Sequence, residues 1–296
     1  MWENVKEFKS SDNNVSKFVF TCKSAVAEAV LYKYPTYEER TVICCSTQSG
    51  CPVGCIFCGT GKKFIRNLTF DEIVYQCEYI LNSLNIDAIN IKKLQLMFMS
   101  MGEPFLNMKE VSRAIQILNV KYPNAQLLIS TSAPKIDNSI YDEFITLSKK
   151  IDKIGLQFSV HESTDENRRK LIPSKTSCLK EISDIGIEWF NSTGRHPFFN
   201  YCVHKANNTK KDVANLLSLF PPNIFESTIS VICEKDETIA ASIDRQKQMA
   251  QDFSALMLAV GYNVRVFNPS GQEDIGGGCG QLWFVQKWIK EHKNIS

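Results

Sequence analysis

Two kinds of apolar pattern alternate along the chain, and that alternation constrains the fold more than any other feature. Short, β-branched, near-continuous apolar runs fall at 41–45, 94–99, 126–130, 154–160, 198–203 and 228–232. Continuous apolar character marks strands buried on both faces. Helical spacing separates them. Phe70, Ile73, Val74, Cys77, Ile80 and Leu81 form one stripe, with Thr69 and Glu72 standing before it as a capping box. Val111, Ala114, Ile115 and Leu118 form a second, begun near Asn107 and Glu110. A late helix over about 242–260 stops at Gly261, a residue suited to closing a helix. Six such units predict an α/β protein: a parallel sheet covered by helices, open or barrel-like, with its chemistry in the loops after the strands.

The length of 296 residues suits one barrel or two domains, and no repeat, low-complexity tract or linker divides it. A composition 44% hydrophobic and 22% charged excludes a disordered chain. The longest apolar run, 94–101, is broken by Gln95 and Ser100 and falls short of the ~18–20 residues of a membrane span. Charges occupy the N-terminus where a secretion signal needs an apolar stretch. A cytoplasmic protein with no membrane partner is expected. With 34 basic and 32 acidic side chains, bulk electrostatics cannot grip nucleic acid. RNA contact would need a local patch. Lys62/Lys63/Arg66, Arg168/Arg169/Lys170 and Lys205/Lys210/Lys211 are the candidates, and each also fits a solvated surface.

Eleven cysteines, an odd number with no secretion signal, indicate reduced thiols. Five of them fall between Cys44 and Cys58. Cys51, Cys55 and Cys58 stand as C-x3-C-x2-C in the loop GCPVGCIFCGTG, directly after the first strand. Thiolates suit iron–sulfur clusters and zinc. Zinc wants four ligands, commonly as two separated pairs, and no second pair exists here. Three thiolates on a four-iron cluster leave one iron open; a zinc or redox loop is the alternative. Cys44 and Cys45 are neighbours on the first strand and so point to opposite faces.

The cysteine spacing, with Phe57 before the last thiol, resembles the signature of radical S-adenosylmethionine (SAM) enzymes. In them the open iron chelates the methionine end of SAM, and an electron from the cluster splits it to a 5′-deoxyadenosyl radical. The resemblance assigns Gly102 and Glu103, in Gly102-Glu103-Pro104, to the motif whose backbone and carboxylate receive the cofactor's ammonium. From about 17 to 282 the chain more closely resembles the RlmN and Cfr RNA-adenosine methyltransferases, which act on C2 or C8. The landmarks are CCSTQSGCPVGCIFCGTG, FIRNLTFDEI, MSMGEPFLN, ISTS, FSVHESTDENRR and DIGGGCGQLW.

That resemblance implies a radical-SAM partial (βα)6 barrel over 41–265. A polar tail and β extension precede it over 1–40, and a segment over 266–296 closes the active site. It implies a [4Fe-4S] cluster on Cys51, Cys55 and Cys58, and two SAM molecules per turnover. Cys279 is implied as methyl carrier, Cys44 as the thiol that resolves the adduct by a disulfide, and Glu28 as proton acceptor. Ser130, Ser159, Val160 and His161 match cofactor-contacting positions. The implied partners are an RNA substrate, ribosomal or transfer, and a flavodoxin-type electron donor. The chain departs from the family in three places. Three extra residues separate Glu28 from Arg40. Lys235 stands where the family has a cofactor-contacting asparagine. The family's N-terminal accessory domain has no counterpart in front of the barrel. Two alternatives remain: a family enzyme acting on a nucleotide, small molecule or protein, or a non-catalytic cluster- or zinc-binding protein. Cys44 and Cys279 speak for catalysis, because a binding module needs neither.

Overall fold

The computed structural model describes residues 2–61, 63–231, 239–267, 275–276, 281–282 and 284–291. Three antiparallel strands come first: β1 (Asn4–Lys9), β2 (Val15–Cys22) and β3 (Ala25–Lys33). β4 (Thr41–Cys45) pairs antiparallel with β3 and opens the barrel. Two short strands, β5 (Gln48–Gly50) and β6 (Phe64–Asn67), form a separate hairpin whose loop carries the three clustered cysteines. Strands and helices then alternate through α1 (Phe70–Asn82), β7 (Leu94–Phe98), α2 (Met108–Lys121), β8 (Ala125–Thr131), α3 (Asn138–Lys150) and β9 (Ile154–Ser159). Two helices, α4 (Asp165–Leu171) and α5 (Leu179–Thr193), lead to β10 (Phe198–Val203), α6 (Lys210–Leu219), β11 (Glu226–Val231), α7 (Ile239–Ala259), β12 (Val264–Phe267) and α8 (Phe284–Glu291).

The ten-stranded sheet runs β1-β2-β3-β4-β7-β8-β9-β10-β11-β12, parallel from β4 onward. It curls until Tyr32 of β3 meets Phe267 of β12 edge to face, ring centres 6.4 Å apart. The result is a partial barrel. Six of its parallel strands match the apolar runs. The seventh, β12, escapes that reading because it is four residues long and partly solvent-facing. β1 lies where a polar tail is expected. Its side chains are mostly exposed, and it exists because β2 offers an edge to pair with, from Asn4↔Thr21 to Lys9↔Ser16. Trp2 anchors it, donating from its indole nitrogen to the carbonyl of Glu72 at 3.1 Å.

Local rules account for the helix starts. The Thr69–Glu72 capping box forms, with reciprocal bonds of 3.3 and 3.0 Å, a device worth about 1 kcal/mol. Asn107 precedes α2 without capping it; its amide instead donates to the carbonyls of Thr47 and Leu68, both at 2.8 Å. The alternation of strand side chains then builds two cores. One lies between sheet and helices and contains Cys45 and Cys77. The other lines the inner face and contains Val30, Val42, Cys44, Met97 and Leu282. A hydrogen bond with Cys77, together with burial, pushes the Cys45 thiol up, as expected of an inert core cysteine. Inside the curl lies a cavity of about 280 Å³, lined by Cys44, Met97, Ser100, Gln157, Asn200 and Leu282 among others. Among the described residues, no helix is long and apolar enough to cross a membrane.

Candidate active site

The hairpin loop wraps its thiols tightly. Cys51 donates from its backbone to the Lys63 carbonyl at 2.8 Å, and Cys58 to that of Cys55 at 3.1 Å. A side chain at Gly61 would place its Cβ 2.8 Å from the Cys55 oxygen and 3.3 Å from the Cys58 Cβ, so only glycine closes the loop. Two contacts bind it to the C-terminal segment. Thr60 donates to the Leu282 carbonyl at 2.7 Å, and the Gln286 amide donates to the Gly59 carbonyl.

Burial pushes the Cys51 thiol up to about 12 and raises Cys55 further. The charge each would feel from Cys58 and Glu103 adds to the effect. In protein alone the Cys51 and Cys55 thiols stay protonated; a cationic metal centre is what would ionise them. Backbone N–H groups of Val53 and Gly102 favour the Cys51 thiolate, the kind of contact that tunes iron–sulfur clusters. Among the described residues no three His, Cys, Asp or Glu side chains converge as on a single metal ion. A tetrahedral zinc site would need sulfurs about 3.8 Å apart around one point, whereas a cluster spreads its ligands over separate irons. The donor set fits the cluster. No disulfide joins any two described cysteines.

Around this loop stand the strand ends. Gly102, after β7, has φ +97°, and a Cβ there would lie 2.6 Å from that of Gln48. Gln48 in turn accepts the Glu103 N–H at 2.8 Å. The Glu103 carboxylate is buried and accepts four hydrogen bonds. They come from Thr131 Oγ1 at 2.6 Å, Phe105 N at 3.1 Å, Ser132 N at 2.7 Å and Ser132 Oγ at 2.8 Å. An ionised carboxylate has about four acceptor positions. The side chain expected to receive an ammonium is therefore already engaged, riveting the β7 loop to the end of β8.

Ser130, on β8, accepts from the Gln157 amide at 3.1 Å. Beyond β9, the N–H groups of Val160 and His161 both donate to the Asn200 carbonyl, at 3.0 and 3.1 Å. His161 sits at φ +62°, a left-handed conformation that costs a non-glycine residue energy. Its ring meets Phe57 of the cysteine loop edge to face at 5.4 Å. Burial, helped by the Arg168 charge, holds His161 neutral, its pKa down to about 3. Its Nδ1 is buried with no hydrogen-bond partner among the described residues. Arg168 corrects its reading as part of a basic surface patch. It is 2% exposed and donates to the carbonyls of Ser132 at 2.7 Å and Ser159 at 3.1 Å, tying the ends of β8 and β9 together. Arg66 is likewise engaged, bidentate to Glu72 at 2.7 and 2.8 Å. Lys62 lies outside the described residues; Lys63, Lys205, Lys210 and Lys211 are exposed.

The neighbouring strands β4 and β3 carry Cys44 and Glu28. Register sets Lys17 opposite Val30 and Val30 opposite Cys44, with Glu28 two residues along β3 from Val30. All four share the inner face. The Glu28 carbonyl accepts from Ser46 Oγ at 2.6 Å and Ser100 Oγ at 2.7 Å. Its buried carboxylate accepts the N–H of Phe284, the first residue of α8, at 2.8 Å, and lies 3.6 Å from the Lys17 ammonium. Burial raises Glu28 to about 7 against the pull of Lys17 and the Phe284 N–H. Cys279 and Lys235 lie outside the described residues. Gln48, Thr131, Ser132 and Lys17 are not singled out by the sequence as parts of a site. Only Lys17 left a trace there, as a lone charge inside the apolar run VSKFVF.

Curled parallel sheet, three-thiol loop and converging strand ends define a radical-SAM barrel, and residues 45–201 match the family model described as Radical SAM superfamily. A probable dual-specificity RNA methyltransferase RlmN from Finegoldia magna is 30% identical over 94% of this chain and 77% of its own length. A ribosomal RNA large subunit methyltransferase N from Nitrosopumilus maritimus is 31% identical over 92% and 78%. The crystal structure of a radical SAM methyltransferase from Sphaerobacter thermophilus superposes with a TM-score of 0.76 at 24% identity, covering 93% of this chain and 79% of that one. The chain belongs to the radical SAM superfamily and, within it, to the RlmN family. Membership brings a [4Fe-4S] cluster and SAM as cofactors.

Proposed function

We propose that the protein adds a methyl group to an sp² carbon, C2 or C8, of an adenosine in ribosomal or transfer RNA. The observation that carries this reading is the pairing of Cys44 with Glu28 on one lumen wall, facing a C-terminal segment tied to the cysteine loop. Gly276 and Leu282, three residues either side of Cys279 in sequence, are both held: Gly276 through its carbonyl by Lys17, Leu282 by Thr60.

In this reading Cys51, Cys55 and Cys58 hold the cluster. Gly102, Glu103, Ser130, Ser159, Val160 and His161 form the rim that seats SAM. Cluster and SAM together supply an electron and a carbon radical able to take hydrogen from a methyl group. Cys279 presents that methyl group as a thioether, because an adenine ring carbon does not attack a sulfonium. Once its carbon is joined to the base, the odd-electron adduct would give one electron back to the redox centre that supplied it, and the ring carbon would give up its proton to Glu28. A carboxylate raised to about 7 is matched to that task at neutral pH. The Cys44 thiolate would then attack the Cys279 sulfur: the sulfur–carbon bond breaks, the disulfide closes, and the freed carbon takes up a proton to become the methyl group of the released base. Cys45, in the outer core, has no access to this exchange.

The one-electron step calls for a reductant, which we assign to a flavodoxin-type protein. Reduced thiols suit the cytoplasm. Exposed Lys205, Lys210 and Lys211, after β10 at the same end of the barrel, offer contacts for RNA phosphates. Mass spectrometry of RNA nucleosides from cells with and without the gene tests the reading. A methyladenosine that disappears with the gene is expected; identical nucleoside profiles would sink it.

A further inference from the structure

A buried lysine on the wall that carries Glu28 has no part in the chemistry so far. Lys17 is 1% exposed, in the middle of β2, among Val15, Val19, Val26 and Val30 of the same inner face. A charge in such surroundings is costly unless it is paired. Besides the Phe8 ring at 5.9 Å, its ammonium meets three things. Glu28 Oε2 lies at 3.6 Å, the Gly276 carbonyl accepts from it at 3.3 Å, and the Phe284 ring lies below it at 5.1 Å.

Each contact belongs to a different part of the reaction proposed above. Glu28 is the proton acceptor, and its Oε2 is buried with no hydrogen-bond partner among the described residues. That oxygen is the one left to take a proton. Gly276 begins the glycine run leading to Cys279. Phe284 opens α8 and donates its N–H to the other Glu28 oxygen at 2.8 Å. One cation thus touches the base, the backbone of the carrier segment and the helix that follows it.

Stability does not explain the pair. Buried ion pairs can often be replaced by apolar side chains without loss, and every neighbour on this face is already apolar. We propose that Lys17 is a positioning residue, tying the carboxylate of Glu28 to the backbone of the segment that carries Cys279. The inference rests on the methyl-carrier reading of Cys279.

A consequence in pH follows. Burial drives Glu28 up, and Lys17 is the charge that pulls it down. The other charged groups on β1 (Lys6, Glu7 and Lys9) and on α8 (Lys287, Lys290 and Glu291) are exposed; Cys44 on β4 and Tyr32 on β3 also lie on this face. Without the Lys17 charge, Glu28 avoids the cost of burial by staying protonated. Base function then needs a higher pH.

Lys17→Gln keeps a donor for Gly276 and loses the charge; Lys17→Arg keeps the charge. RNA methylation would be followed from pH 6 to 9.5, with iron content, thermal midpoint and the methyl mass on Cys279 measured in the same preparations. The Gln variant should lose about tenfold or more of its turnover at pH 7, with its acid midpoint at least about one unit higher. Turnover should recover towards pH 9, while Cys279 is still methylated. The Arg variant should keep the acid midpoint near that of the parent protein. A Gln variant with the parent's rate and midpoint overturns the proposal. So does an equal loss at every pH in both variants, or loss of iron or fold in both, which would make Lys17 merely structural. Failure of the underlying reading looks different: the unmodified protein itself would carry no methyl group on Cys279.

Discussion

Two buried glutamates, Glu28 on β3 and Glu103 just after β7, stand in unlike states. Glu103 accepts four hydrogen bonds from Thr131, Ser132 and Phe105. Glu28 accepts one N–H and has a lysine at 3.6 Å, with one oxygen unpartnered among the described residues. Burial raises both. The difference lies in what remains available. Every acceptor of Glu103 is committed to holding the β7 loop against β8, so its work is to shape the rim. Glu28 keeps a lone pair for a proton. A satisfied polar network rigidifies; an unsatisfied buried group is a sign of chemistry.

The contrast can be broken in order of expected effect. The largest concerns neither glutamate but the cysteine loop. Replacing Cys51, Cys55 or Cys58 by Ala should drop iron from about four per chain to near zero and abolish SAM cleavage, read by chromatography of its products. A protein that still cleaves SAM with two of these thiols would show that the wrong loop has been assigned.

Next come Cys44, proposed as the resolving thiol, and its neighbour Cys45. Cys44→Ala should fold, yet accumulate RNA joined to Cys279, seen as a nuclease-shortened nucleotide mass on that peptide. Cys45→Ala should turn over nearly as the parent does, at a stability cost of about 1 kcal/mol for its core void. Equal behaviour of the two variants would contradict the opposite facing of the two side chains.

The glutamates themselves should separate by kind of loss. Glu28→Gln should cost about 10²–10⁴ in turnover, and the double variant Glu28→Gln/Lys17→Met should regain stability without regaining activity. Glu103→Gln should instead cost about 1–3 kcal/mol in a denaturant melt, because an amide nitrogen now meets donors from Ser132 or Thr131. Should Glu103→Gln keep its stability and lose only rate, the roles of the two carboxylates would have to be exchanged.

The smallest effect is in pH. A folded value near 7 for Glu28, above the ordinary 4.5, means the folded state holds this proton more tightly. Its stabilising share is therefore present below about pH 4.5 and lost as pH rises through 7. Denaturant midpoints should fall across that window in the parent protein and less so in the Glu28→Gln/Lys17→Met pair. Parallel curves for the two would remove Glu28 as the titrating group.

Much of this was legible in residue order alone. The six apolar runs, the Thr69–Glu72 box and the glycine after α7 are local signals, decided by neighbours within a few positions. They are enough for a parallel sheet covered by helices, open or barrel-like; the partial barrel comes from the resemblance. The C-x3-C-x2-C loop is local too, and its donor set speaks for itself. Strand alternation separated Cys44 from Cys45 before any packing was known, since successive side chains must leave a strand on opposite sides. Other features depend on pairing across long stretches of chain. β1 is polar and became a strand because β2 presented an unpaired edge; β12 was too short to read as one. Arg168 looks like a surface charge in FSVHESTDENRR, yet α4 turns it inward onto the carbonyls of Ser132 and Ser159. Lys17 and Glu28 are eleven residues apart on two strands, and only the β2–β3 register makes them neighbours. The division has a physical cause. Sequence spacing determines which face of its own element a side chain takes, while its partner, and with it its charge state and its work, is set by which elements the fold brings together.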